Sequence, residues 1–301
     1  MINRIRFFGL LVLPIGCFFV VFGLDLDRAT VQRFSGFTMG TSYEIQLVTD
    51  PDSIDIRTVE ENVADLLRRL DREIFSTYSP TSELTQLNMT PATEVFSASR
   101  ELIEVLVLSE EIRALTDGAF DISINPLVNL WGFGAQSKRI VSRLPTQLEI
   151  DDAMARMGAE YLVINESNLE VVKTKDIQID LSGVAKGYAV DEVAVALEDF
   201  NIDSYFIEVG GEIKLKGFKP NSEEWLPAIE APAAGTYEIY EILSSRGEAF
   251  SLAGSGDYRN YFEIDGARYS HEIDPRTGRP VTHDLAAAFV ITESAAEADA
   301  L

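Results

Sequence analysis

The chain has 301 residues, 46% of them apolar, enough to bury one large core or two small ones, and no stretch is poor enough in apolar residues to be disordered. Its 49 acidic and 25 basic residues leave a net charge of -24, which repels phosphate backbones and anionic lipid surfaces and argues against nucleic acid as a partner. The acid is spread along the chain, as on solvated helix and loop surfaces, so an anionic ligand would require a local cation.

The N-terminus reads as an export signal or an anchor. Met1 to Arg6 carry two positive charges and no acid, and an uncharged run of 18 residues from Phe7 to Leu24 precedes Asp25, Asp27 and Arg28. That length lies within the range of about 17 to 25 residues for a helix crossing a bilayer, and basic residues before the run place the remainder outside the cytoplasm. Cys17, the one cysteine, follows Pro14-Ile15-Gly16, similar to a bacterial lipoprotein cleavage site. Proline where leucine is usual and an apolar run continuing past the cysteine leave lipidation and an uncleaved anchor both open. A single cysteine permits an oxidising compartment but no internal disulfide. Residues 1–27 are therefore set apart from a domain over 28–301.

Alternation from Phe37 to Val48, with Tyr43, Ile45 and Leu47 on one face, predicts a strand broken by Asp50-Pro51. Val59, Val63, Leu66, Leu67, Leu70 and Ile74 recur at helical spacing after a cap at Asp52 or Ser53, so an amphipathic helix should pack one face on a sheet. Further helices fit 98–116, stopped by Asp117-Gly118, and 146–157, stopped by Gly158. The stretch between them from Gly118 to Gly134 is irregular yet apolar, with Trp131 expected in the core. A hairpin follows, Tyr161–Asn165 with Leu169–Lys173, then a strand Ile177–Leu181, a helix Val184–Asp199 and a strand Tyr205–Val209. Asp265-Gly266, between Tyr258–Ile264 and Ala267–His271, is a strong tight-hairpin signal. Ser294 to Leu301 has the composition of a helical turn or two, marginal unless packed. With no repeat or long linker, residues 30–301 read as one compact α+β unit.

The densest chemistry lies in Asp180-Leu-Ser-Gly-Val-Ala-Lys-Gly187, where a strand end runs through Ser182-Gly183 into a helix with Lys186 in its first turn. Strand, glycine, helix N-terminus and lysine suit an anion, although the same residues also make an ordinary strand-to-helix connection. Neither the P-loop spacing nor the dinucleotide fingerprint is present. Gly210-Gly211 and Gly254-Ser-Gly256 would each let backbone N–H groups approach a ligand, or serve simply as turns. Ser270-His271-Glu-Ile-Asp274-Pro-Arg276-Thr-Gly278-Arg279-Pro280 brings a histidine able to take a proton near neutral pH together with Arg276 and Arg279, either of which would supply the missing cation. Tyr78, in a polar loop past a helix end, is a candidate to stack on a planar ring. One cysteine and two histidines disfavour structural zinc; Asp299 with a backbone carbonyl would suit magnesium, though a lone aspartate is usually a surface charge.

Met39-Gly-Thr41, Ser76-Thr-Tyr-Ser-Pro80, Gly118-Ala-Phe-Asp121 with Asn125 to Gly134, Asp180 to Gly187, Gly210-Gly211, and Gly256-Asp-Tyr-Arg-Asn-Tyr261 leading to Ser270 to Pro280 occur in this order. Together they resemble the ApbE family of FAD:protein FMN transferases, from about Phe34 to Leu301. The resemblance implies a T-fold-like α+β unit of mixed sheets flanked by helices. It implies magnesium-dependent cleavage of FAD, release of AMP, and FMN left in phosphoester linkage on a threonine or serine of a partner protein. The partners it implies are flavin-carrying subunits of sodium-pumping quinone reductases and Rnf-type complexes, on the periplasmic side of a bacterial inner membrane. Carried over by position, Tyr78 stacks on the isoalloxazine, and Met39, Ala119, Phe120, Asp121, Asp180, Lys186 and Ile273 line the FAD site. Gly183 through its carbonyl and Asp299 through its carboxylate hold magnesium, and His271 activates the acceptor hydroxyl. The family's metal motif continues to a threonine four residues past Asp299, beyond Leu301, so the resemblance implies either a C-terminally truncated domain or a metal site short of a ligand. Two alternatives use the same positions: an exported FAD pyrophosphatase yielding FMN and AMP, and a flavin binder without activity.

Overall fold

The structure, a computed structural model, describes residues 28–134, 143–232, 238–256 and 260–301. Residues 1–27, with the apolar run and Cys17, lie outside these, as do 257–259 of the Gly256–Tyr261 motif. Among the described residues no helix is long and apolar enough to cross a membrane.

The first half of the chain contains β1 (Thr30–Thr38), β2 (Thr41–Thr49), α1 (Ile56–Arg69), α2 (Glu83–Met89), β3 (Val95–Ser97), α3 (Arg100–Leu115), α4 (Asn125–Leu130) and α5 (Gln147–Met154). Then come β4 (Leu162–Asn165), β5 (Glu170–Lys173), α6 (Ala185–Asp199), β6 (Tyr205–Val209), β7 (Glu212–Lys216), β8 (Ala228–Glu230) and β9 (Ile239–Ile242). The last are β10 (Phe250–Gly256), β11 (Tyr261–Ile264), β12 (Ala267–Ser270), β13 (Ile273–Asp274), β14 (Arg279–Pro280), β15 (Ala287–Thr292) and α7 (Ala295–Ala300). A six-stranded sheet in the order β1-β2-β6-β7-β10-β15 forms the centre, with β3-β5-β4 and three two-stranded ribbons around it. Every pairing among the described strands is antiparallel, so the α+β class holds but the sheets are not mixed in strand direction.

The single strand expected over Phe37–Val48 is two. Thr38 pairs with Thr41 across a two-residue turn in which Met39 has φ 48° and Gly40 φ 76°, the left-handed pair that matches the twist of a hairpin. Tyr43, Ile45 and Leu47 do share the buried face, and the alternation hid the turn because Met39 is apolar. Asp55, not Asp52 or Ser53, caps α1 by accepting from the Arg57 N–H. Val59, Val63 and Leu67 form its buried stripe, and the helix runs on as a π-turn over Leu70–Phe75. That wider turn ends with Phe75 edge-on to Tyr188, centroids 5.6 Å apart, and sends Ser76–Pro80, with Tyr78, out of the core.

Ile177–Leu181 is not a strand. At its centre side chains take the hydrogen bonds a ladder would use: the Ile179 N–H donates to Asn88 Oδ1 at 2.6 Å, and the Ile179 carbonyl accepts from Asn88 Nδ2 at 2.8 Å and Asn125 Nδ2 at 3.3 Å. The Lys173 ammonium, itself buried, donates to the carbonyls of Asn88 and Ile177. Buried backbone groups must be paired, and here side-chain amides do it and set the segment that leads into Asp180.

Two cores result. The larger lies between the central sheet and α1, α3 and α6. A smaller one gathers Leu127, Trp131, Ile150, Ala153 and Met157 with Phe262, Tyr269 and Ile273. Trp131 is buried in it, as expected, and donates its indole N–H to the Gly278 carbonyl at 2.8 Å.

The C-terminal helix is short but packed. Ala295, Ala296, Ala298 and Ala300 are buried, and Asp191 of α6 accepts from the N–H groups of Ala295 and Ala296, both at 3.0 Å, and from the Ser294 hydroxyl at 2.8 Å. The close approach depends on Gly187, where a Cβ would stand 2.1 Å from the Ala295 carbonyl oxygen. Gly187→Ala should therefore lower stability by about 3 kcal/mol, the upper end of overpacking costs, read as a shift in the urea midpoint at unchanged slope.

Candidate active site

A cleft of about 1170 Å³ opens where the two cores meet. Its wall includes Ala119, Phe120, Asp121, Asp180, Gly183, Lys186, His271, Ile273 and Asp299, nine of the eleven residues expected from sequence. Met39 and Tyr78 instead line a neighbouring pocket of about 470 Å³. The two chambers share Val128, Asp180, Ser182 and Lys186, so the segment running into α6 is the partition between them.

That partition is built by its own polar groups. Asp180 accepts from the Ser182 N–H at 2.8 Å, and its own N–H donates to the Ile122 carbonyl at 2.7 Å. Asp121 turns back to accept from the Ser123 N–H and hydroxyl, at 2.8 and 2.6 Å, as the cap of a short 3₁₀ turn. Both carboxylates thus shape the loops they stand on. Gly183 is exposed, and a Cβ there would reach 3.4 Å from the Phe120 ring.

Lys186 is the cation of the cleft. Its ammonium lies 3.0 Å from Glu212 Oε1 and 3.2 Å from Asp299 Oδ1. Asp299 is no lone surface charge: its side chain is 7% exposed, and Oδ2 accepts from the Gly187 N–H at 3.0 Å. Burial opposes the charged lysine, yet Asp299 and Glu212 hold its pKa above the ordinary value. Glu212, 6% exposed, is pushed up to about 7 by burial, with Lys186 drawing it back and Asp299 adding to the rise. Sequence reasoning stopped at Gly210-Gly211 and missed Glu212; the available signal was an acid directly following a glycine pair at the start of a strand.

The arginines do not fill the role proposed for them. Arg276 lines the cleft mouth but is exposed and folded onto Asp274, Nε to Oδ1 2.9 Å, and that guanidinium holds the Asp274 carboxyl below its usual range. Arg279 reaches to Gln147 at 2.6 Å, at the start of α5. With Arg276 paired to Asp274 beside the turn at Gly278, φ 68°, and Arg279 held by the neutral Gln147, the half-buried Lys186 is left as the cation in the cleft wall.

His271 follows β12. The Asn260 carbonyl accepts from the His271 N–H at 3.1 Å and lies 3.1 Å from its Nδ1. A carbonyl can only accept, so Nδ1 carries the proton and the neutral ring keeps its lone pair on Nε2. Phe133 packs edge-on to the ring at 6.2 Å, and the hairpin beneath is fastened by Phe262 stacked on Tyr269 and Tyr269 on Trp131. The smaller core is the mount for the histidine. Asp265 and Gly266, at φ 52° and 77°, make the expected tight turn between β11 and β12.

For a metal, the donor chemistry suits a hard cation: carboxylate and carbonyl oxygens from Asp299 and Gly183 line one cleft with Glu212, whose Oε2 is buried without a hydrogen-bond partner. Among the described residues no cluster of three or more His, Cys, Asp or Glu forms a cage on its own, so water and ligand oxygens would complete the shell.

A two-chambered cleft of this size, divided by a helix N-terminus bearing a lysine and lined in its larger chamber by an oriented histidine, has room for an extended, dinucleotide-sized ligand. The profile of the ApbE family matches residues 39–301. The FAD:protein FMN transferase of Vibrio cholerae serotype O1 is 40% identical over 269 residues, 89% of this chain and 79% of the relative. That of Escherichia coli K12 is 36% identical over 275 residues, 90% and 76%. The solved structure of the flavin transferase ApbE from Vibrio cholerae superposes with a TM-score of 0.80 at 36% identity, covering 90% of this chain and 85% of that one. The apo form of the Pseudomonas stutzeri flavinyl transferase ApbE gives 0.81 at 36%, covering 92% and 84%. The chain belongs to the ApbE family.

Because the Glu212 carboxyl binds its proton more tightly folded, up to about 7, than unfolded, at 4.5, its contribution to stability is complete below 4.5 and declines as pH rises through that window. Glu212→Gln should remove this component of the decline, seen as a flatter profile of urea midpoint against pH between 4.5 and 7.

Proposed function

We propose that this chain transfers the FMN moiety of FAD to a threonine or serine hydroxyl of a partner protein and releases AMP. The observation that carries this reading is the oriented histidine facing the lysine-bearing partition of a dinucleotide-sized cleft, in a chain 36% to 40% identical to named FAD:protein FMN transferases.

The flavin ring stacks on Tyr78, 71% exposed in the smaller chamber beside Met39. The pyrophosphate crosses the partition at Asp180 and Lys186, and the rest of FAD lies along Ala119, Phe120, Asp121 and Ile273 in the larger chamber. Lys186 offers positive charge there, and the 15-residue α6 adds the positive end of its dipole. His271 Nε2 takes the proton of the acceptor hydroxyl as its oxygen bonds to the FMN-side phosphorus. The bond from that phosphorus to the bridging oxygen breaks, and AMP leaves with the oxygen and the electron pair. Asp299 and the Gly183 carbonyl would hold magnesium, which supplies charge neutralisation on the pyrophosphate.

The acceptors are flavin-carrying subunits of sodium-pumping quinone reductases or Rnf-type complexes, met on the periplasmic side of a bacterial inner membrane. The basic start and the apolar run of residues 7–24 support that location, by a helix or by lipid on Cys17.

The test is the intact mass of an acceptor subunit after incubation of the full chain with FAD and magnesium. A gain of one FMN unit is expected, and His271→Ala should slow it by about 10²- to 10⁴-fold while flavin binding, followed by fluorescence, persists. Free FMN with unlabelled acceptor would establish a hydrolase instead, and unconsumed FAD a binder.

A further inference from the structure

Two buried carboxylate oxygens among the described residues lack a hydrogen-bond partner, one on Glu110 and Oε2 of Glu212, and only Glu212 lines the larger cleft. A buried, unpaired carboxylate oxygen is costly, and a cheaper side chain at the start of β7 would leave the strand intact. Its partner atom, Oε1, is the nearest carboxylate oxygen to the Lys186 ammonium, 3.0 Å against 3.2 and 3.4 Å for the two oxygens of Asp299.

The arrangement poses a conflict. Asp299 is the carboxylate proposed for the divalent cation, and an ammonium already stands against both of its oxygens. Two cations cannot share one buried carboxylate without strong repulsion in a medium of low dielectric. With Lys186 and Asp299 alone the site would sum to zero charge and offer a metal nothing. Ionised, Glu212 brings the sum to -1 and gives the ammonium a second carboxylate from a different element, since Lys186 and the Gly187 N–H that binds Asp299 belong to α6, Glu212 to β7 and Asp299 to α7.

We propose that Glu212 is a positioning residue for cation binding: it retains the Lys186 ammonium when a divalent cation takes Asp299, so that two carboxylates serve two cations. The inference rests on the reading of Asp299 as a metal ligand. Glu212 acts through Lys186 and does not touch the metal.

The test measures Mn²⁺ bound to the full chain without FAD, by the EPR signal of free Mn²⁺. Glu212→Gln should weaken binding by about tenfold or more, as removal of an outer-shell partner does. Lys186→Met should tighten it by removing the competing ammonium, and in that background Glu212→Gln should cost much less. Unchanged binding in Glu212→Gln overturns the proposal, as does a loss of equal size in the Lys186→Met background, which would make Glu212 a direct ligand. Circular dichroism checks that Glu212→Gln folds. Should it not, Lys186→Met alone decides, because weaker binding in that variant contradicts competition for Asp299. Asp299→Asn separates the two levels: if it binds Mn²⁺ as the wild type does, the metal reading itself fails and this inference with it. If only Asp299→Asn loses affinity, the metal reading stands and the role of Glu212 falls.

Discussion

A half-buried ammonium held between two buried carboxylates organises this molecule. Lys186, Glu212 and Asp299 come from α6, β7 and α7, and each would be a liability in the interior alone. Removing one partner of such a group costs about 3–5 kcal/mol, chiefly because the remaining charge is left uncompensated. The cluster therefore demands that the central sheet, the long helix and the C-terminal helix close on one another. The same closure sets the Lys186 ammonium in the cleft wall, but paired with two carboxylates it does not offset a net charge of -24, so an anionic ligand there calls for a further cation.

What surrounds the cluster makes that closure possible. Gly187 lets α7 lie against α6, and Asp191, one turn further on, receives the N–H groups that open α7. Lys214 completes the joint, its ammonium 2.7 Å from Asp191 and from the Glu293 carbonyl. A six-residue helix has little stability of its own; here its caps and its alanine face are supplied by a neighbour. Stability and site geometry are consequently linked, because the residues that hold α7 in place also hold Asp299.

The histidine side of the cleft is independent of this. His271 is carried on a ribbon whose aromatic residues reach into the smaller core, through Tyr269 and Phe262 to Trp131, and Trp131 is tied to the loop at Gly278. A proton-accepting group and a lysine-bearing partition thus stand on two hydrophobic cores, joined by such bonds as Asn125 to the Ile179 carbonyl. Rigid mounting of this kind fixes the direction of a side chain better than a loop does, and it leaves the space between the cores open for an extended ligand.

Much of this was legible in the residues. The stripe of α1, the extents of α3 and α6, the hairpin at Asp265-Gly266 and the order of motifs around Asp180 and His271 depend on local periodicity, turn chemistry and spacing, all of which the chain carries in one dimension. The Ile177–Leu181 segment was misread because a ladder and a pair of asparagine amides satisfy the same backbone groups, and only folding brings Asn88 and Asn125 beside Ile179. Arg276 and Arg279 looked like the cation because charge is visible in sequence but its partner is not; each found a nearer polar group. Glu212 was missed for the converse reason: its place directly after a glycine pair was the one local signal, and its burial comes from contacts with α6 and α7 that the sequence does not show. By itself the sequence determined the family, the longer helices and the residue types available to the site. Only the tertiary structure decided which charges are paired, which oxygen is left unpaired and which chamber each residue faces, because those depend on contacts between segments far apart in the chain.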